Sequence, residues 1–166
     1  MMSIRPEEFV HERLRELYGY WRGRCVGGRP MPRSALDPVD LAGLLPNLMF
    51  LEVPTDGSEI RFRLAGEEIE ERYGRSLRGR RLSETFPMVR RRDTSHQWAE
   101  IVRDAKPKYR RGPMAFPEDR VFEAERLLLP LSEGERDVRY ILGAVYYLPL
   151  PPAAFEAATI DGTLEG

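Results

Sequence analysis

The sequence predicts an α+β domain: one antiparallel sheet with helices on one face, and an N-terminal helix outside the core. Three observations carry this. The elements run helix, helix, β-β, several short helices, one long helix, then β-β-β, so two parts of an antiparallel sheet are joined through helices. EIRFRLA at 59–65 alternates strictly, Ile60, Phe62 and Leu64 against Arg61 and Arg63, as a half-buried strand does. The strand over 137–148 is apolar on both sides, with Tyr140, Leu142, Ala144 and Tyr146 opposed to Ile141, Val145 and Tyr147. Both of its faces therefore need a cover.

Taken in order, Pro6 followed by Glu7 and Glu8 suits a helical first turn, where proline fits and carboxylates complement the dipole. Val10, Leu14, Leu17 and Trp21 then recur at helical spacing, until Gly23, Gly27 and Gly28 end the helix. RPMPR at 29–33 reads as an extended linker. Asp37-Pro38 opens a second short helix that Pro46 closes. NLMFLEV at 47–53, the turn TDG at 55–57 and the strand 59–65 form a β-hairpin. EEIEERY is a short helix ended by Gly74 as a C′ residue. Ser83 caps a short segment holding Phe86, a longer helix covers 90–106, and strands follow at 108–116, 120–131 and 137–148. The divisions are 1–33, N-terminal helix and linker; 34–150, the main domain; and 151–166, a small, polar, flexible tail.

Composition limits the function. A length of 166 residues with 42% hydrophobic and 32% charged residues fits one globular domain, burying about 70% of its unfolded surface. A formal net charge of −1 gives no broad attraction to nucleic acid or to an anionic membrane. Only Lys106 and Lys108 among 26 basic residues are lysines, a bias that runs along the whole chain and discounts each local arginine cluster. The single Cys25 excludes an intramolecular disulfide and a multi-cysteine metal site. With no apolar leader and no stretch of membrane-spanning length, the expected location is the cytoplasm.

W21 with GGRPMPRSALDPVDLAGLLPNLMFLEV (27–53), FRLAGEEIEERYGRSLRGRRLSE (62–84) and YILGAVYYLPL (140–150) together resemble a PAS domain. The likeness is to the stand-alone bacterial PAS-like family long catalogued as a domain of unknown function, and it covers approximately 15–150. It implies a five-stranded antiparallel sheet cupping a small pocket, used for sensing or protein–protein signalling in bacterial signal transduction, with no catalytic activity known for the family. Phe62, Leu64, Tyr73, Leu77, Phe86, Trp98 and Val102 occupy the inward positions that would line such a pocket. A filled apolar core is the plainer alternative there.

Sharper chemistry is weighed residue by residue. The glutamates Glu67, Glu68, Glu70 and Glu71 sit on a short exposed helix with no nucleophile or histidine near in sequence, so a solvated face is expected before an acid/base site. Haem-binding PAS sensors carry a proximal histidine on the long helix, where His96 lies. With His96 at 0° and ~100° per residue, Trp98, Ile101, Val102 and Ala105 cluster near ~190°, so the imidazole is expected to face solvent. PAS-type flavin photochemistry needs a cysteine on a pocket helix, and Cys25 lies before the core. Arg90-x-x-Asp93 matches a short cyclic-dinucleotide pattern, and RGRR at 78–81 could grip phosphate, but short patterns arise by chance in an arginine-rich chain. The expectation is a non-enzymatic sensory module without cofactor or metal, holding a small ligand, a protein partner, or both. Val10, Leu14, Leu17 and Trp21 are the expected homodimer interface, with a helix folded back on its own sheet as the alternative.

Overall fold

The computed structural model describes residues 4–85 and 91–149. Its sheet is set by the longest apolar runs: β4 (Arg120–Glu133) and β5 (Arg136–Leu148) pair antiparallel over most of their length, with Leu127 opposite Ala144 and Leu129 opposite Leu142. β1 (Leu48–Glu52) adds to the other edge of β5, β2 (Arg61–Ala65) to β1, and β3 (Lys108–Phe116) to β4. The order is β2-β1-β5-β4-β3, all antiparallel. The hairpin, the three closing strands and the long helix stand where the sequence puts them.

Period-two alternation in β4 and β5 builds two cores, one on each face. On the inner face Ala124, Leu128, Ile141 and Val145 pack with Phe62, Ile69, Leu77, Trp98 and Ile101, beneath α2 (Glu67–Tyr73) and α3 (Arg91–Asp104). On the outer face Leu127, Leu129, Leu131, Leu142 and Ala144 pack with Leu14, Leu17, Tyr18 and Trp21 of α1 (Glu12–Arg22). The N-terminal helix thus lies outside the core that the sequence anticipates, but it makes a second core of its own.

Two local expectations are corrected, and a third segment is more firmly held than its composition suggests. Pro6 does not open the long helix: Pro6–Glu8 is an isolated 3-10 turn, and α1 starts after His11, whose Nδ1 accepts from the Arg13 N–H at 3.2 Å. The segment 29–33 is tied to the end of β4, where the Ser132 N–H donates to Met31 O and the Ser132 hydroxyl donates to Pro30 O. The helix expected from Asp37 to Pro46 is a turn, with Asp37 Oδ1 accepting from the Val39 N–H, followed by a 3-10 helix at Ala42–Asn47 that contains Pro46.

The stripe offered as a dimer surface is used within the chain. Leu14 and Leu17 are fully buried, Trp21 is buried with its Nε1–H donating to Pro130 O at 2.7 Å, and Val10 alone is exposed, at 48%. Leu14→Asp should therefore unfold the domain itself, by burying a charge with no partner. Val10→Asp should stay within about 0.5 kcal/mol of the parent in a urea titration. Equal effects of the two substitutions would show that the helix does not sit on its own sheet.

Candidate functional site

The inner face collects most of the predicted pocket residues. Phe62, Leu77 and Trp98 are buried in one cluster, with Tyr73 and Val102 packed against its edge. Leu64 departs from it. Leu51 pairs with Phe62 but Phe50 pairs with Leu64, so Arg63 is an extra residue in a β-bulge. The slip reverses the side-chain phase, burying Ala65 and leaving Leu64 47% exposed on the other side of the sheet. Phe86 lies outside the described residues. Because Trp98 is only 4% exposed among these apolar neighbours, Trp98→Ala should cost about 3–5 kcal/mol. An unchanged denaturation midpoint would place that ring elsewhere.

The short glutamate-rich segment is scaffold. Gly66 N–H donates to Leu48 O at 2.7 Å, closing the β2 end onto β1, and Gly66 O accepts the first amides of α2. Gly74 ends α2 in the left-handed region at φ 71°, a conformation glycine adopts without cost. Glu68 pairs with Arg72 at 2.9 Å, and a Glu70 carboxylate oxygen accepts the Leu77 N–H at 2.6 Å. These carboxylates hold backbone and a neighbouring cation; no paired acid and base emerge from them.

His96 is exposed, as the helical arithmetic requires, which sets it against a haem-ligand role. Cys25 stands at the end of α1 against the outer core, its thiol donating to Trp21 O at 3.4 Å and its pKa raised by burial. It is the chain's single cysteine and lies on the sheet face opposite Trp98. A cysteinyl adduct with a flavin on the inner face is therefore not available to this chain. Arg78, Arg80 and Arg81 of the RGRR run are exposed, and Arg90 of the cyclic-dinucleotide pattern lies outside the described residues.

The residues of greatest chemical interest were not singled out by the sequence. On β4, Glu125 and Arg126 are adjacent and point to opposite faces. Glu125 is fully buried on the outer side, where its carboxylate accepts the Val10 N–H at 2.5 Å, the His11 N–H at 2.8 Å and the Tyr109 hydroxyl at 2.6 Å. Burial and this carboxylate both push the Tyr109 phenol well above its ordinary pKa. Arg126, 9% exposed, lies on the inner side, with its guanidinium 5.4 Å from the Trp98 ring and one N–H donated to Gln97 Oε1. Burial depresses its pKa to about 10, so it is still a cation at neutral pH. A long apolar strand, RVFEAERLLLPL, gives one signal that was available: two adjacent charges in the middle of a buried run must each be answered.

Around Arg126 the inner face is polar and incompletely satisfied. Arg126 Nε, Trp98 Nε1, Arg72 Nε and the Tyr147 hydroxyl are buried without a hydrogen-bond partner. Arg72 lies 3.4 Å over the Tyr147 ring, and Tyr73, Phe116, Phe122 and Tyr147 make a chain of ring contacts beside it. Burial raises the pKa of Tyr73 and Tyr147, holding both as neutral phenols.

Comparison with known proteins agrees with this architecture. A family model described as a PAS domain matches residues 9–146. No curated protein sequence matches the chain. Among solved structures, the Rhodobacter sphaeroides LOV protein superposes with a TM-score of 0.53 at 14% identity, covering 74% of this chain and 74% of that one. A light-oxygen-voltage domain studied with a flavin analogue gives a TM-score of 0.54 at 12% identity, over 74% of this chain and 93% of its own. A single-substitution variant of RsLOV gives 0.52 at 14% identity, with 69% of this chain covering 66% of that chain's length. At such identities the likeness is one of fold.

Proposed function

Because the chain belongs to the PAS domain family, we propose that it is a cytoplasmic, non-enzymatic sensory and regulatory module. Residues 34–150 form the sensing unit, and the N-terminal helix is its output. A small ligand is held on the inner face among Phe62, Tyr73, Leu77, Trp98 and Val102, and the signal leaves through a protein partner.

One observation supports this division of labour above the rest. Glu125, which holds the start of α1, and Arg126, which lies in the inner core, are consecutive residues of β4. Successive residues of a strand point to opposite faces and share one backbone, so a backbone shift at one carries its neighbour with it. A backbone shift at Arg126 on ligand binding would therefore loosen or tighten the carboxylate under α1. The light-sensing chemistry suggested by the light-oxygen-voltage neighbours does not transfer, because Cys25 is on the wrong face. No described helix is long and apolar enough to cross a membrane, and no group of three metal-ligating side chains occurs among the described residues.

A homodimer through α1 belongs to this reading in one form only. Leu14, Leu17 and Trp21 are already buried in cis, so two chains would associate by exchanging the helix. The experiment that tests the regulatory role is affinity capture from the native cytoplasm with wild type and with Glu125→Ala as parallel baits. A partner whose recovery changes when α1 is released supports the reading. Identical recoveries from the two baits would remove α1 as the output.

A further inference from the structure

Resting on the sensory reading above, we infer that the inner face takes a small organic anion, its carboxylate or phosphate oxygens held by Arg126 and Arg110 with Trp98 and Tyr147. The argument begins with the ladder. Arg110 of β3 is directly opposite Arg126 of β4, a like-charge pair across two strands, which is unfavourable unless something offsets it. The charge of Arg110 in turn makes the Arg126 cation harder to hold. Among the described residues no carboxylate forms an ion pair with Arg126, and the one hydrogen-bond acceptor it finds there, Gln97, is neutral. A buried arginine in this condition is costly, and native interiors rarely leave one unanswered.

The second observation is the kind of groups left over. The unpartnered atoms on this face are Arg126 Nε, Trp98 Nε1, Arg72 Nε and the Tyr147 hydroxyl, of which the three nitrogens can only donate. The contrast with the other tryptophan is direct: Trp21 Nε1 has Pro130 O, while Trp98 Nε1 has no acceptor among the described residues. Ala124 is opposite Tyr147 and Arg126 is opposite Val145, so Arg126 and Tyr147 are diagonal neighbours on one face, roughly 7–8 Å apart along the ladder. Both side chains therefore rise from the same face of neighbouring strands, where one small molecule can accept from both. A set made up mainly of donors selects an anion over a cation, and Leu77, Ile101 and Leu128 nearby suit an apolar body behind the charged end.

The test is a thermal-melt series on the full chain with sodium benzoate, sodium phosphate, neutral benzamide and sodium chloride at matched ionic strength. Benzoate or phosphate should raise the midpoint saturably, and benzamide and chloride should not; which of the two anions acts distinguishes a carboxylate from a phosphate ligand. Arg126→Met should fold, at least as stably as wild type without added anion, and should lose the anion response. If Arg126→Met does not fold, Arg126→Lys keeps the charge without the planar fork and should bind about tenfold more weakly or worse. An anion response untouched by either substitution would overturn the assignment, as would a flat response to both anions. A benzamide response alone would also overturn it while leaving a ligand-sensing inner face intact, so failure of the anion and failure of the sensory reading are separate results.

Discussion

Glu125→Ala is expected to cost about 3 kcal/mol or more and to release the start of the N-terminal helix. The carboxylate is fully buried and answers three donors at once: two backbone amides of the chain entering α1 and the Tyr109 hydroxyl. Hydrogen bonds to a charged acceptor are about twice as strong as neutral ones, and alanine leaves all three donors in the interior with nothing to bind. His11 adds to the effect, because its ring both caps α1 and stacks on Tyr146 at 4.0 Å, and it depends on this anchor for its position. Glu125→Gln keeps one acceptor and should lose less. Urea unfolding of the two variants measures the difference. An alanine variant within about 0.5 kcal/mol of wild type would show that the helix start is held by its apolar contacts alone.

Gly66→Ala should be the most damaging alanine substitution among the described glycines. A Cβ at this position would lie 2.2 Å from both Leu45 O and Pro46 O and 2.4 Å from the Pro46 carbonyl carbon. Those are backbone atoms, so no rotamer change relieves the overlap. The 3-10 helix at Ala42–Asn47 would have to part from the β2–α2 corner, giving up the Gly66 N–H to Leu48 O bond. The expected loss is about 3 kcal/mol or more, above the usual cost of overpacking because the obstruction is main chain. Gly143 makes the comparison: its Cβ would meet Met49 and Leu128 side chains at 2.7–3.1 Å, atoms that can move. Gly143→Ala should cost less than Gly66→Ala, and the reverse order in chemical denaturation would contradict this account of the corner.

The sheet was legible because its strands alternate or are apolar on both faces, and such patterns survive any tertiary arrangement. The cover over β5 was legible for the same reason: Tyr140, Leu142, Ala144 and Tyr146 demanded an apolar partner, and α1 supplies it. What sequence could not decide was whether that partner came from the same chain, since a stripe at helical spacing packs equally well in cis and in trans. Leu64 was misplaced because strict alternation hides a bulge; the extra residue, Arg63, looks the same in sequence whether or not it is paired. Glu125 and Arg126 were passed over because a charged pair inside a strand resembles the solvent-facing Arg61 and Arg63. Only the partners across the fold, residues 10, 11 and 97, separate a buried charge from an exposed one.

The central claim is that the state of the inner face is read by α1 through β4, and amide hydrogen exchange on wild type and Arg126→Met tests it most directly. The account predicts that this inner-face substitution changes protection over 10–22, on the opposite side of the sheet, while 48–65 keeps its wild-type protection. Unchanged exchange over 10–22, or a uniform shift across the whole chain, would contradict it.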